Sequence, residues 1–346
     1  MAASLRELDL PPLRLMEVCG THTMAIARFA LRKLMPEGLT LTSGPGCPVC
    51  VTATADLDLF IAASRLPETI ITTFGDLIRV PGSSSSLQEE MGRGRDVRVV
   101  YSPLDALEIA RRHPRRQVIF LGVGFETTAP TVAAALLMAA GEGIGNFSVI
   151  SAHKVMPPAL AALAAAPDVR LDGLICPGHV SVIIGADAYR PLAEQDHLPC
   201  VVAGFEPADI LGAILLLVRQ AREGAARVEI AYGRAVGREG NPRALAIMNQ
   251  VFAPADAEWR GLGPIPGSGL IIREEFARFD AARRFGLVRE PAAGPRGCRC
   301  GEVLKGIIAP PACKLFGTAC HPGRPVGPCM VSSEGACAAF YKFERS

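Results

Sequence analysis

The 346-residue sequence lacks an excess of charge of either sign, since 36 Lys and Arg stand against 34 Asp and Glu for a formal net charge of +2. Without a broad basic field, nucleic acid is not expected as the main partner. Long hydrophobic runs are missing too. The longest apolar stretches, at 132–140 and 210–218, are about half of the ~20 residues that a membrane span needs. The N-terminal MAASLRELDLPPLR has no basic-then-apolar export pattern. Nor does GVGFETT supply the G-x-x-x-x-G-K-[ST] of a Walker loop, so no strong nucleotide site is read. A soluble, cytoplasmic protein is the expectation.

What the chain does have is apolar material and thiols. Hydrophobic residues make up 49% and charged residues 20%, enough for sizeable cores, and the length predicts two or three domains. Short β-branched runs recur at 13–18, 39–43, 68–74, 98–102, 117–124, 147–153, 171–176, 199–205 and 227–232. Ala/Leu-rich stretches of helical length, such as 24–35 and 130–140, lie between several of them. That alternation predicts βαβ units and parallel sheets.

EVCGTHTMA, TSGPGCPVC and TTFGDLI are followed at similar spacing by ISAHKVMPPAL, ICPGHVSV and AGFEPADIL. The expected fold is therefore α/β, with two similar lobes of mainly parallel sheet facing a central cleft and a cysteine-rich domain after them. The expected boundaries are 13–146, 147–252 and 253–346. GLGPIPGSGL at 261–270 reads as a turn-rich connector, and 273–285 as a charged surface helix.

Eleven cysteines are present, six of them between Cys298 and Cys337. In a cytosolic protein such crowding points to metal or redox chemistry before a disulfide scaffold. Cys19 follows a strand and precedes a helix, where the macrodipole favours the metal-binding thiolate. His22 lies within one turn of it. Cys47 and Cys50 form a C-x-x-C between a strand and a helix, the local context of a redox dithiol or half a metal site. In the tail, Cys298, Cys313, Cys320 and Cys337 are separated by 14, 6 and 16 residues, with Cys300 and Cys329 left over. No two C-x(2–4)-C pairs of a zinc module occur there. By spacing, irregular zinc and a 4Fe–4S cluster both stay open.

Glu126 reads either as a first-turn carboxylate that complements a helix dipole or as a group directed at the cleft. His153, Lys154 and His179 stand at strand ends. Cys176 and Cys200 read as core thiols. The basic runs at 92–98 and 111–116 read as solvated surface.

The motifs MEVCGTHTMAIA, TSGPGCPVCVT, TTFGDLIRVPGS, FLGVGFETTAP, SAHKVMPPAL, ICPGHVSVIIG, AGFEPADIL, GLGPIPGSGL and CKLFGTACHPGRPVGPCMVSSEGACAA run in this order along nearly the whole chain. Together they resemble the HypD family, which helps build the Fe(CN)2CO group of nickel–iron hydrogenases. The resemblance implies Cys19 as iron ligand with His22 beside it, a Cys47/Cys50 dithiol, and a 4Fe–4S cluster on Cys298, Cys313, Cys320 and Cys337. It also implies a Cys300–Cys329 pair that can be held as a disulfide, a HypC-like small chaperone and a HypE-like cyanide donor as partners. The expected function is a scaffold with redox activity, which leaves its standing as an enzyme open. A free-standing, cluster-driven thiol–disulfide reductase and a zinc-stabilised binding protein are the rivals.

Overall fold

The computed structural model describes residues 11–345; most of the N-terminal stretch on which the export reading rests lies outside them. The strands are β1 (Leu13–Glu17), β2 (Leu39–Ser43), β3 (Thr69–Thr73), β4 (Asp96–Val99), β5 (Gln117–Gly122) and β6 (Phe147–Ser151). They continue with β7 (Gly173–Pro177), β8 (Cys200–Ala203), β9 (Val228–Ile230), β10 (Phe252–Trp259) and β11 (Gly263–Ile272). Two all-parallel sheets result, in the orders β2-β1-β7-β8-β9 and β4-β3-β5-β6, so the expected α/β class with mainly parallel sheets is what the chain adopts. Every residue of β3 and β7 is buried, the mark of strands covered on both faces.

The chain divides into two compact units. The first comprises the residues up to Val51, then Met156–Pro242, then those from Gly297 on; the second comprises Thr52–Val155 and Arg243–Arg296. These units interleave along the chain, whereas 13–146, 147–252 and 253–346 are contiguous. The physical reason is strand pairing. β1 pairs with both β2 and β7, so the first sheet draws strands from the beginning and the middle of the sequence. Its core gathers Leu15, Ile26, Ile175, Val201, Ile214 and Leu217. The second unit has its own core around Phe120, Val132, Leu136, Phe147, Phe252 and Phe279.

Three local expectations are corrected. The stretch 261–270 is largely strand: β11 pairs antiparallel with β10 across a register shift between Ala255 and Ala257. Pro264 and Pro266 are tolerated because a two-stranded ribbon leaves each strand one free edge. The stretch 273–285 is not one helix but a 3-10 turn, Glu274–Phe279, and a short helix, Ala281–Arg284. Asp280 separates them in extended backbone and accepts the Arg283 N–H at 3.2 Å, while Phe279 is buried in the core. The stretch 24–35 likewise breaks at Ala30, whose φ of 51° ends the Gly20–Arg28 helix.

Candidate functional site

β1 delivers Glu17 and Cys19 to the carboxyl edge of the first sheet, where parallel sheets place their sites. Val18 N–H still donates to Ile175 O at 3.2 Å, and the chain then enters the Gly20–Arg28 helix with Cys19 as its N-cap. Cys19 N–H donates to Glu17 Oε2 at 3.1 Å, and the Thr23 hydroxyl donates to Glu17 Oε1 at 2.6 Å. This buried carboxylate thus fixes the residue before the helix and the first turn after it.

The electrostatics correct one expectation. The Thr21 and His22 amides at the helix start favour the Cys19 thiolate, but burial outweighs them, with Glu334 and Glu17 adding, and pushes the thiol up to about 12. Burial likewise pushes Glu17 up to about 7. His22 is fully buried. Its Nε2 lies 2.9 Å from Gly204 O and must donate there, so Nδ1 carries the bare lone pair. Among the described residues Nδ1 has no hydrogen-bond partner. Burial pushes this histidine down to about 4 and keeps it neutral.

The C-x-x-C motif sits against Cys19. A Cβ on Gly46 would fall 2.1 Å from the Cys19 nitrogen, so only glycine lets the two backbones meet, and Gly20 N–H donates to Gly46 O at 3.0 Å. Cys47 leads into the short helix Pro48–Val51, as expected for a dithiol motif. The Cys50 N–H donates to Cys47 Sγ and the Cys47 thiol to Ser332 Oγ, each at 3.3 Å. Both thiols are free, and burial holds Cys50 well above the ordinary thiol range.

From Cys50 the sulfurs continue into the tail. Cys50 is within hydrogen-bonding reach of Cys329, and Cys329 Sγ stands 2.7 Å from Cys300 Sγ, both free thiols. Cys300 in turn reaches Cys298. Cys298, Cys313, Cys320 and Cys337 line one cavity with Cys300 and Cys329, walled by Val303, Leu315, Phe316 and Met330. The Cys337 thiol is pushed up by burial and then by Cys298, Cys320 and Cys313.

Among the described residues, no three His, Cys, Asp or Glu groups converge as a site for a single metal ion. A cubane cluster makes a different demand, because each iron takes its own thiolate and the sulfurs stand around it. An all-thiol donor set in an apolar cavity fits that demand.

Comparison with known proteins identifies the family. A family model described as HypD, "Hydrogenase formation hypA family", matches residues 2–344. The chain is 48% identical over 339 residues to "Hydrogenase maturation factor HypD" of Azotobacter vinelandii, covering 96% of this chain and 89% of that protein. The chain belongs to the HypD family. Proteins with the same description in Cupriavidus necator and Escherichia coli K12 are 46% identical over 338 residues and 45% over 335, covering 95% and 96% of this chain and 89% and 90% of theirs. The family is one of hydrogenase maturation factors.

Within this HypD-family chain, the first unit holds Cys19, His22, the dithiol and all six tail cysteines. Glu126 belongs to the second unit and is buried, in the turn that precedes the Ala129–Gly141 helix. It is therefore not a first-turn carboxylate. His153 and Lys154 are buried there too, Lys154 Nζ standing 3.6 Å from Asp56 Oδ2. His179 stacks on Phe205 at 3.9 Å. Cys176 and Cys200 are buried on β7 and β8 as core thiols. The basic runs carry surface ion pairs such as Arg98–Asp96 and Arg111–Glu142.

Sequence reasoning missed Glu17, Phe205, Ser332 and Glu334. Thr21 donates to Glu334 across 313 residues, and Cys47 meets Ser332 across 285, separations that no local pattern reveals. Glu17 had a signal: a carboxylate ending an otherwise apolar strand at a sheet's carboxyl edge.

Proposed function

We propose that this chain is an assembly scaffold for the Fe(CN)2CO group of nickel–iron hydrogenases, acting in the cytoplasm with a HypC-like chaperone and a HypE-like cyanide donor. Cys19 binds the iron, with His22 as its neighbour. Iron carrying cyanide and carbon monoxide prefers soft thiolate donors, and loading it displaces the proton that burial keeps on this thiol.

The observation that carries the reading is the line of thiols Cys47, Cys50, Cys329, Cys300 and Cys298, which begins at the Gly46–Cys19 seam and ends at the tail cavity. Cys298, Cys313, Cys320 and Cys337 would hold a 4Fe–4S cluster, which when bound supplies electrons one at a time. Cys47 and Cys50 alternate between dithiol and disulfide; forming the S–S bond releases two electrons and two protons, and cleaving it takes them back. Cys329 and Cys300 stand between the two ends and can themselves pair.

Infrared spectroscopy of the anaerobic complex with a HypC-like partner, beside a Cys19→Ala variant, tests the scaffold. Cyanide and carbonyl bands present in the first and absent in the second, with the cluster intact in both, are expected. Equal bands in both, or none in either, would contradict it. In the latter case the reductase reading takes over.

A further inference from the structure

Beside the thiol line, the first unit carries an open groove along the Gly20–Arg28 helix. Met24, Phe29, Phe205 and Phe343 give it an apolar lining, and Arg28 and Lys342 stand along it. Phe29, the residue that ends the helix, is 48% exposed. Aromatic and Met surface beside Arg is the composition of an interface centre rather than of ordinary solvated surface.

The charges say what would cover it. The Arg28 guanidinium lies over the Phe29 ring at 5.5 Å, and the Lys342 ammonium over the Phe343 ring at 5.1 Å. Among the described residues neither cation has a carboxylate at ion-pair distance. The carboxylate next in sequence to Phe343, Glu344, is already bound to Arg32. Glu334, which flanks the same helix, is held by the Thr21 hydroxyl at 2.7 Å. The groove therefore presents two uncompensated cations on an apolar floor.

Its inner wall leads to the iron-binding motif. Phe205 lines the groove and packs its ring 5.0 Å from that of His22, and Tyr232 meets Phe205 edge-on at 5.8 Å. An occupant pressing on Phe205 would press on the ring that sits in the first turn after Cys19.

We propose that this groove docks an acidic segment of the HypC-like chaperone, which places large apolar side chains between Phe29 and Phe343 and carboxylates against Arg28 and Lys342. The inference rests on the scaffold reading and deepens it, since it assigns the surface and the chemistry of the partner contact.

The test is binding of the HypC-like factor to the anaerobic full-length chain, measured across salt concentrations. It uses wild type, Phe29→Ser, the double variant Arg28→Glu/Lys342→Glu, and Met138→Ser on the second unit. All four altered positions are surface sites, and cluster absorbance reports folding. The groove variants are expected to bind at least about tenfold more weakly, with the double variant losing the salt dependence and Met138→Ser unchanged. Groove variants that bind within about twofold of wild type would overturn the groove assignment while leaving the scaffold standing. A wild type that does not bind the factor sinks both. A dimer that Phe29→Ser dissolves, with factor binding unchanged, would give the groove to self-association and also overturn the proposal.

Discussion

All eleven cysteines lie in the first unit and none in the second, although both are built on a parallel sheet with its own apolar core. The second unit builds ion pairs around its buried Lys154, Asp56 and Glu90. Lys154 and Arg289 share Asp56, Arg289 also binds Glu258, and Glu90 is gripped by Arg65 and Arg93. The first unit buries sulfur, which needs no counter-charge while protonated. Sulfur chemistry thus belongs to one unit, and perturbing the other should change stability without touching it.

The largest expected effect on that contrast comes from Trp259→Ala. The indole is fully buried in the second unit, stacks on Phe125 at 5.8 Å and donates to Ser268 Oγ at 2.9 Å. Truncation should cost about 3–5 kcal/mol in denaturant unfolding. Iron and sulfide per folded chain should stay at the wild-type level. A folded variant that lost its cluster would break the contrast.

Gly46→Ala should cost less stability, about 1–3 kcal/mol, because a methyl cannot enter the seam with Cys19 without moving backbone. Its diagnostic effect lies elsewhere. Iron bound at Cys19 should fall while the tail cluster persists, as read by infrared bands against cluster absorbance. Equal loss of both would mean that the seam only supports folding.

Smallest at neutral pH, and felt only on acidification, is a pH slope in the second unit. His153 Nδ1–H donates to Ser151 Oγ at 3.0 Å, whose hydroxyl donates to Leu270 O at 2.7 Å, and burial pushes the ring from 6.5 down to about 3. The unfolded chain binds a proton that the folded chain refuses. This contribution is therefore complete above 6.5 and is lost as pH falls toward 3. His153→Asn should flatten unfolding free energy against pH within that window. An unchanged slope would remove His153 from the account. Glu90 titrates lower; chiefly through Arg65, its carboxyl is held near 2, so its contribution is lost only as pH falls below 4.5.

The buried parallel strands such as β3 and β7 were legible, because apolar β-branched runs ending in Gly or Pro turns are what doubly covered strands require, whereas the run at 98–102 meets the edge strand β4 only at Arg98 and Val99. The β10–β11 ribbon was not, since Pro264, Pro266 and three glycines within β11 imitate a loop. Nor did the matched motifs divide one half to each lobe. CGTH and CPVC follow β1 and β2, while ICPGH follows β7 of the same sheet.

At the candidate site, the cysteine motifs announced themselves by spacing, but their state did not. A helix start predicts a thiolate at Cys19, and its burial, with smaller contributions from Glu334 and Glu17, reverses that. The meeting of Cys50 with Cys329 is a tertiary fact with no local signature. No helix among the described residues is long and apolar enough to cross a membrane, in line with the short apolar runs.

In the proposed relay, electrons pass along the thiol line from the tail cavity to the dithiol. The direct measurement is differential alkylation with mass spectrometry on the anaerobic, cluster-loaded chain whose Cys47–Cys50 pair has been oxidised. Dithionite is added, and wild type is compared with Cys329→Ser at equal iron and sulfide content. Both Cys47 and Cys50 should return rapidly to alkylatable thiols in wild type and at least about tenfold more slowly in the variant. Equal rates with an intact cluster would contradict the relay.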